Sequence, residues 1–131
     1  MSTLQMETPL GRRLEHWLDV AAFRHNVIVA NMANVDTPGY KTQDVDFRAA
    51  LSDALEAGPG GAAIGGPEVQ TTASHPVARA VPGLLERPDG NNVSLECESL
   101  LLAENQLQYR IGIELLKGQM HQIQSAIKEG Q

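Results

Sequence analysis

The sequence predicts a mainly α-helical fold in which long N- and C-terminal helices pair as a coiled-coil-like hairpin, with a short helix and a flexible, irregular middle segment between them. Three observations lead there. The large apolar residues crowd into Leu10 to Leu55 and Val93 to Ile127. Within those stretches they recur in alternating steps of four and three, the spacing that lines one face of an α-helix. Between them, Gly58 to Gly90 is rich in Gly and Pro and sparse in large apolar side chains. The chain therefore divides into an N-terminal helical segment over 1–57, a middle over 58–90 and a long C-terminal helix over 91–131. The first and last together form one helical domain.

Met1 to Pro9 shows no periodicity and contains a proline, so it reads as a mobile lead-in. A helix follows from about Leu10 to Arg13. Leu14, Leu18, Ala21, His25, Ile28 and Met32 fall on one of its faces, and Phe23, Val27, Ala30 and Asn34 on roughly the opposite one. Thr37-Pro38-Gly39-Tyr40 ends it, because the residue before proline is pushed out of the helical region and Gly39 supplies the positive φ of a type II turn. Beyond the turn, Asp44 or Asp46 is placed to cap a short helix that carries Phe47, Leu51 and Leu55 four residues apart.

In the middle, Gly58-Pro59-Gly60-Gly61 and Gly65-Gly66-Pro67 have linker composition. No Lys-Ser/Thr pair follows the glycines, so they do not make a phosphate loop. Val69 to Ser74 and Val77 to Val81 suit short extended segments, limited by Pro76, Pro82 and Pro88. Asp89-Gly90-Asn91-Asn92 then turns the chain, Ser94 offers an N-cap, and Glu96 and Glu98 sit where a helix dipole favours negative charge. In the helix that begins there, Leu95, Leu102, Tyr109, Ile113, Leu116, Met120, Ile123 and Ile127 share one register, with Ser99 and Gln106 as polar members. Leu100, Leu107, Ile111 and Leu115 line a second stripe, and the whole helix spans on the order of 50 Å.

Both long helices are thus apolar on two sides. Pairing with each other covers one stripe of each, and leaving the others in water forgoes several kcal/mol at about 25 cal/mol per Å². Neighbouring subunits are the expected cover, and head-to-tail contacts between copies or relatives generate rings or helical tubes.

Composition removes other classes. A formal net charge of −6 over 131 residues argues against binding nucleic acid or an anionic membrane surface, both of which favour clustered Lys and Arg. Cys97 has no partner for a disulfide and reads as a packing residue. His16, His25, His75 and His121 are scattered and lack metal-ligand spacing, and no strand-turn-helix elbow frames a serine nucleophile. Neither an enzyme nor a cofactor or metal site is expected. No run reaches the roughly 20 apolar residues of a membrane span, and no secretory signal pattern opens the chain.

The segment Asn31-Met32-Ala33-Asn34-Val35-Asp36-Thr37-Pro38-Gly39-Tyr40-Lys41 closely resembles the Asn-x-Ala-Asn-x-x-Thr-Pro-Gly-Tyr signature of the bacterial flagellar rod and hook protein family. Lys41 to Phe47 continues without insertion, and Gly90-Asn91-Asn92-Val93 with Ala103 to Tyr109 is similar to the proximal rod members of that family. The resemblance implies a structural subunit of the basal-body rod whose end helices pack as an inner coiled-coil tube. It implies passage through the flagellar export apparatus without a cleaved signal peptide and a final place in the periplasmic rod. The implied partners are further copies, rod proteins of the FlgC, FlgF and FlgG types, a FliE-type adaptor and the export gate. Asn31, Ala33, Asn34, Thr37, Pro38, Gly39 and Tyr40 form the motif turn. Leu14, Leu18, Ala21, Phe23, Val27 and Ile28, with Leu95, Leu102, Leu107, Tyr109, Ile113, Leu116, Met120, Ile123 and Ile127 of the C-terminal helix, are expected to supply packing and interface. The competing reading is a soluble helical adaptor or export-chaperone-like protein, which has no reason to carry the Asn31 to Tyr40 signature.

Overall fold

A computed structural model describes residues 8–56 and 76–130. The first helix, α1, runs from Pro9 to Ala33. Thr8 caps it, its Oγ1 accepting the Gly11 N–H at 3.0 Å. Pro9 takes a first-turn position, where a missing N–H sacrifices no helical bond. At the other end Asn34 is the cap, and its own Nδ2 reaches back to the Ala30 carbonyl at 2.8 Å. After the turn come strand β1 (Gln43–Asp44) and helix α2 (Phe47–Glu56). Asp46 caps α2 by accepting the Ala49 N–H at 3.0 Å, while Asp44, the other candidate, is engaged elsewhere.

Within the expected extended segment Val77 to Val81, Arg79–Ala80 forms β2, antiparallel to β1, with Gln43 opposite Ala80 and Asp44 opposite Arg79. Val69 to Ser74 and the linker glycines lie outside the described residues. Helix α3 then spans Leu95–Glu129, capped by Ser94, whose Oγ accepts the Cys97 N–H at 3.4 Å. Its 35 residues extend over about 52 Å.

α1 and α3 form the predicted hairpin, and four polar contacts fix its antiparallel register. Thr8 meets Gln119, Trp17 meets the Gln108 carbonyl, Ala21 meets Asn105, and Asn31 meets Glu98. On α1 the inward line is the expected one in outline, with Leu14, Ala21 and Ile28 buried at heptad spacing and Leu18, His25 and Met32 half-buried.

On α3 the most buried line lies beside the first apolar stripe, whose Leu102, Ile113, Leu116, Met120 and Ile123 are half-buried. The buried residues of that line are Glu98, Asn105 and Gly112, seven apart, with Leu101, Gln108 and Gln119 half-buried beside them. The physical reason is close approach. Gly112 has no Cβ, so the Trp17 indole comes down onto α3 and donates from Nε1 to the Gln108 carbonyl at 2.7 Å. Asn105 likewise spends its Nδ2 on the Ala21 carbonyl at 2.8 Å. By helical spacing, Leu102, Tyr109, Ile113 and Met120 flank this seam on one side, and Leu100, Leu107, Ile111 and Leu115 on the other.

The apolar core is accordingly small: Leu14, Val20, Ala21, Ile28, Val45 and Val93 are its buried members among the described residues. Trp17 extends it by an edge-on contact with Phe47 of α2, ring centres 4.9 Å apart. The two helical glycines of α3 separate packing from propensity. A Cβ on Gly112 would stand 2.7 Å from Trp17 Cδ1, whereas one on Gly118 meets nothing within 4 Å. Gly112→Ala is expected to destabilise the protein by about 1–3 kcal/mol although alanine favours helix, and Gly118→Ala to stabilise it by about 0.5–1 kcal/mol. Urea denaturation of both variants checks the pair, and equal effects would contradict the close approach at Trp17.

Candidate functional site

The motif turn and the turn before α3 are built against each other. Thr37 to Tyr40 closes with a Tyr40 N–H to Thr37 carbonyl bond of 3.2 Å, and Gly39 has φ +75°. These are the bond and the sign of φ that a type II turn requires. Facing it, Gly90 has φ +83°, and a Cβ there would lie 3.4 Å from the Gly39 Cα. The Gly39 N–H donates to the Asp89 carbonyl at 2.9 Å across this junction.

Two asparagines lock the junction. Asn91 is fully buried and donates from Nδ2 to the carbonyls of Asn34 and Thr37, at 2.9 and 2.8 Å. Each of those carbonyls already accepts one backbone N–H, from Thr37 and Tyr40 respectively, so the Asn91 amide takes up their second lone pairs. Its Oδ1 accepts the Val93 N–H at 2.8 Å. Asn92 accepts the Thr42 N–H at 2.6 Å through Oδ1 and donates its own N–H to the Tyr40 carbonyl. Outside this pair, Lys41 Nζ bridges Glu86 and the Gly90 carbonyl, both at 2.6 Å, and Arg87 donates to the Val35 carbonyl.

Deeper in, Asn31 joins three elements. Its Oδ1 accepts the Gln43 N–H at 3.1 Å and its Nδ2 donates to the Gln43 carbonyl at 2.7 Å, so one side-chain amide serves β1 as a neighbouring strand would. The Tyr40 hydroxyl donates to the same Oδ1 at 3.2 Å. Nδ2 also donates to Glu98 Oε2 at 3.2 Å, which attaches α3. One residue on, Arg24 grips Asp44 with two bonds of 3.0 and 3.1 Å. That bond holds the Arg24 guanidinium charged, raising its pKa against the opposing effect of burial. Glu98 is only 2% exposed, and burial raises its pKa. The Asn31 donor and Arg24 oppose that rise, while Asp44 adds to it.

The motif residues divide by role. Asn31 is buried and Tyr40 half-buried, while Ala33, Thr37, Pro38 and Gly39 are exposed. Asn34 holds the turn through Oδ1, which accepts the Thr37 hydroxyl at 3.0 Å. Of the packing residues, Leu14, Ala21 and Ile28 are buried, and Leu18, Phe23, Val27, Leu102, Ile113, Leu116, Met120 and Ile123 are half-buried. Leu95, Leu107, Tyr109 and Ile127 are exposed. Sequence reasoning did not single out Arg24, Asp44, Glu98, Asn105 or Trp17 as parts of this assembly. The Asn91-Asn92 pair after Gly90 was legible as a turn, but its bonds to the motif were not.

This is a set of amides, backbone groups and two ion pairs, Arg24–Asp44 and Lys41–Glu86, suited to holding geometry. Among the described residues no group of three His, Cys, Asp or Glu side chains is gathered as a metal would need. A carboxyl whose pKa is higher folded than unfolded contributes most below its unfolded pKa and loses that contribution as pH rises through the folded one. Glu98→Gln keeps an acceptor for Asn31 and removes the buried charge. Between about pH 4 and pH 8, the stability of the parent relative to Glu98→Gln should therefore fall as pH rises. Urea midpoints across that range test it, and parallel pH profiles would contradict it.

No model of a known protein family matches the chain. Individual proteins do. The flagellar basal body rod protein FlgB of Escherichia coli (strain K12) is 30% identical over 122 residues, covering 86% of this chain and 88% of that one. The Salmonella typhimurium FlgB is 33% identical over 124 residues with the same coverage. That of Cereibacter sphaeroides is 35% identical over 115 residues, covering 80% and 83%. Identity at this level, sustained over most of both chains in three genera, means that the chain belongs to the FlgB family of flagellar basal body rod proteins.

Proposed function

We propose that this chain is a structural subunit of the flagellar basal-body rod, with no catalytic role, that assembles through the helices at its two ends. Family membership supports the place. The observation that carries the mode of action is the polar seam inside the hairpin, which leaves large apolar side chains outside it. Leu100 and Leu107 are 72% and 58% exposed, and Ile111, Leu115, Leu95 and Tyr109 are exposed with them. Side chains of this kind at heptad-like spacing suit burial between subunits. The relatives carry rod names, so the free adaptor reading is set aside.

In this reading Leu14, Ala21 and Ile28 hold the hairpin together, and the stripes of α3 meet neighbouring subunits. The motif from Asn31 to Tyr40 is an internal bracket that sets the angle between the end of α1, the turn and the start of α3. The neighbours are further copies and rod proteins of the FlgC, FlgF and FlgG types, with a FliE-type adaptor and the export gate at the proximal end. The subunit reaches the periplasmic span of the rod through the flagellar export route. No helix among the described residues is long and apolar enough to cross a membrane, which is compatible with that place.

Deletion of the gene in the source bacterium should leave the membrane ring and abolish the rod in electron micrographs of basal bodies. Normal rods and motility would overturn the reading. Complementation with Gly39→Val tests the bracket, since a β-branched residue at φ +75° carries strain of about 1–3 kcal/mol. Motility in soft agar should fall well below that of the parent gene at equal protein level.

A further inference from the structure

Strand β2 has one edge paired and one edge open. Val81 donates its N–H to the Thr42 carbonyl at 3.0 Å, and Gln43 stands opposite Ala80. In an antiparallel ladder this makes Gln43 and Ala80 a non-hydrogen-bonded pair, whose own N–H and carbonyl groups point away from the partner strand. Asn31 takes up those of Gln43 on the inner side. Those of Ala80 face outward, and Ala80 is exposed, with no hydrogen-bond partner among the described residues. Pro76 and Pro82 bracket the stretch and carry no N–H, so the open edge has room for a short added strand only.

Beside this edge lies a trough of about 400 Å³ between β2 and the start of α2. Val45, Ala49, Ala50, Val77 and Val81 give it apolar walls, and the small alanine side chains leave it open. Its charges are Asp44, Asp46 and Arg79. Asp44 is spent on Arg24, whereas Asp46 and Arg79 make no ion pair among the described residues.

Just beyond Pro82 the same chain carries the piece that such a site takes. Gly83, at φ +78°, turns the backbone, and Leu84–Glu86 follows in neither helix nor ladder. Leu85 is 94% exposed, and no backbone hydrogen bond among the described residues holds Leu84 or Leu85. The far end of the segment is anchored: Lys41 grips Glu86 at 2.6 Å, and the Arg87 N–H donates to the Asn91 carbonyl at 2.8 Å. Polar anchors thus hold an aliphatic side chain out in water, close in the chain to an apolar trough that it does not enter. The acid and base that follow it, Glu86 and Arg87, match the base and acid of the trough, Arg79 and Asp46.

We infer that a second copy adds its Leu84–Glu86 segment to the open edge of β2, exchanging backbone hydrogen bonds with Ala80 and seating Leu85 in the trough. In strand addition of this kind main-chain bonds supply affinity and the side-chain pocket supplies selectivity. The contact goes beyond the rod reading and does not rest on it, because extended backbone makes it and neither long helix takes part.

Paired cysteines test this in the full-length chain. Cys97 is exposed and is first replaced, Cys97→Ser, to remove background cross-linking. Val77→Cys and Leu85→Cys, both at exposed positions, are then introduced singly in chains with tags of different length and mixed under mild oxidation. The mixed disulfide dimer should form at least about tenfold faster than either homodimer. Two blocking changes are added to the Val77→Cys chain in turn. Ala80→Pro removes the outward N–H without touching the β1–β2 ladder, and Ala49→Arg fills the trough from an exposed helical position. Each should slow the mixed dimer about tenfold while circular dichroism shows unchanged helix content. Mixed and homodimers forming at equal rates would overturn the proposal, and so would a mixed rate that neither blocking change lowers. The rod reading stands or falls separately, on the rods seen in the deletion strain.

Discussion

The side-chain amide of Asn31 is the point on which the rest of this structure depends. It is fully buried, and it takes up the backbone N–H and carbonyl of Gln43, the Tyr40 hydroxyl and one oxygen of Glu98. In a low-dielectric interior each of these bonds is strong when made, and each partner is costly when left alone. The amide therefore ties the end of α1, the strand after the turn and the first turn of α3 into one unit. With that unit in place, the asparagines at 91 and 92 and the two positive-φ glycines bring the turns together, and the register of the long hairpin follows.

That register has an energetic consequence. The seam between α1 and α3 uses amides, a glycine and a buried carboxyl, with Leu14, Ala21 and Ile28 as its main apolar contribution. Burying one leucine side chain is worth about 1.5–3 kcal/mol, so the four exposed residues of the outer stripe of α3 hold several kcal/mol in reserve. A helix pair that spent its leucines internally would be a more stable hairpin and a poorer building block. Polar contacts hold the hairpin in one register through geometry, while large apolar side chains of α3 stay exposed. The proposed packing against neighbouring subunits would draw its driving force from that exposed surface.

Much of this was legible in the sequence because it rests on local rules. The Pro38-Gly39 turn, the Ser94 cap, the short helix after Asp46 and the extent of both long helices follow from backbone sterics and from spacing along one chain. The doubled apolar faces were legible for the same reason, and so was the family, through the Asn31 to Tyr40 signature and the stretches around Asn91 and Ala103. Which face of α3 turns inward was not legible. Hydrophobic periodicity points to Leu95, Leu102, Tyr109 and their companions, yet Glu98, Asn105 and Gly112 take the seam.

By itself, then, the sequence determined the helices, the turns between them and the membership of a rod-protein family, since each is encoded in residues close together in the chain. The tertiary structure alone decided the pairing of Asn31 with Glu98, of Arg24 with Asp44 and of Trp17 with the backbone at Gln108. Those contacts join residues 20 to 91 positions apart. They are selected by whether a polar group finds its partner on burial and whether a glycine leaves room for an indole. No pattern along one helix reports either condition, because both depend on what the other helix brings.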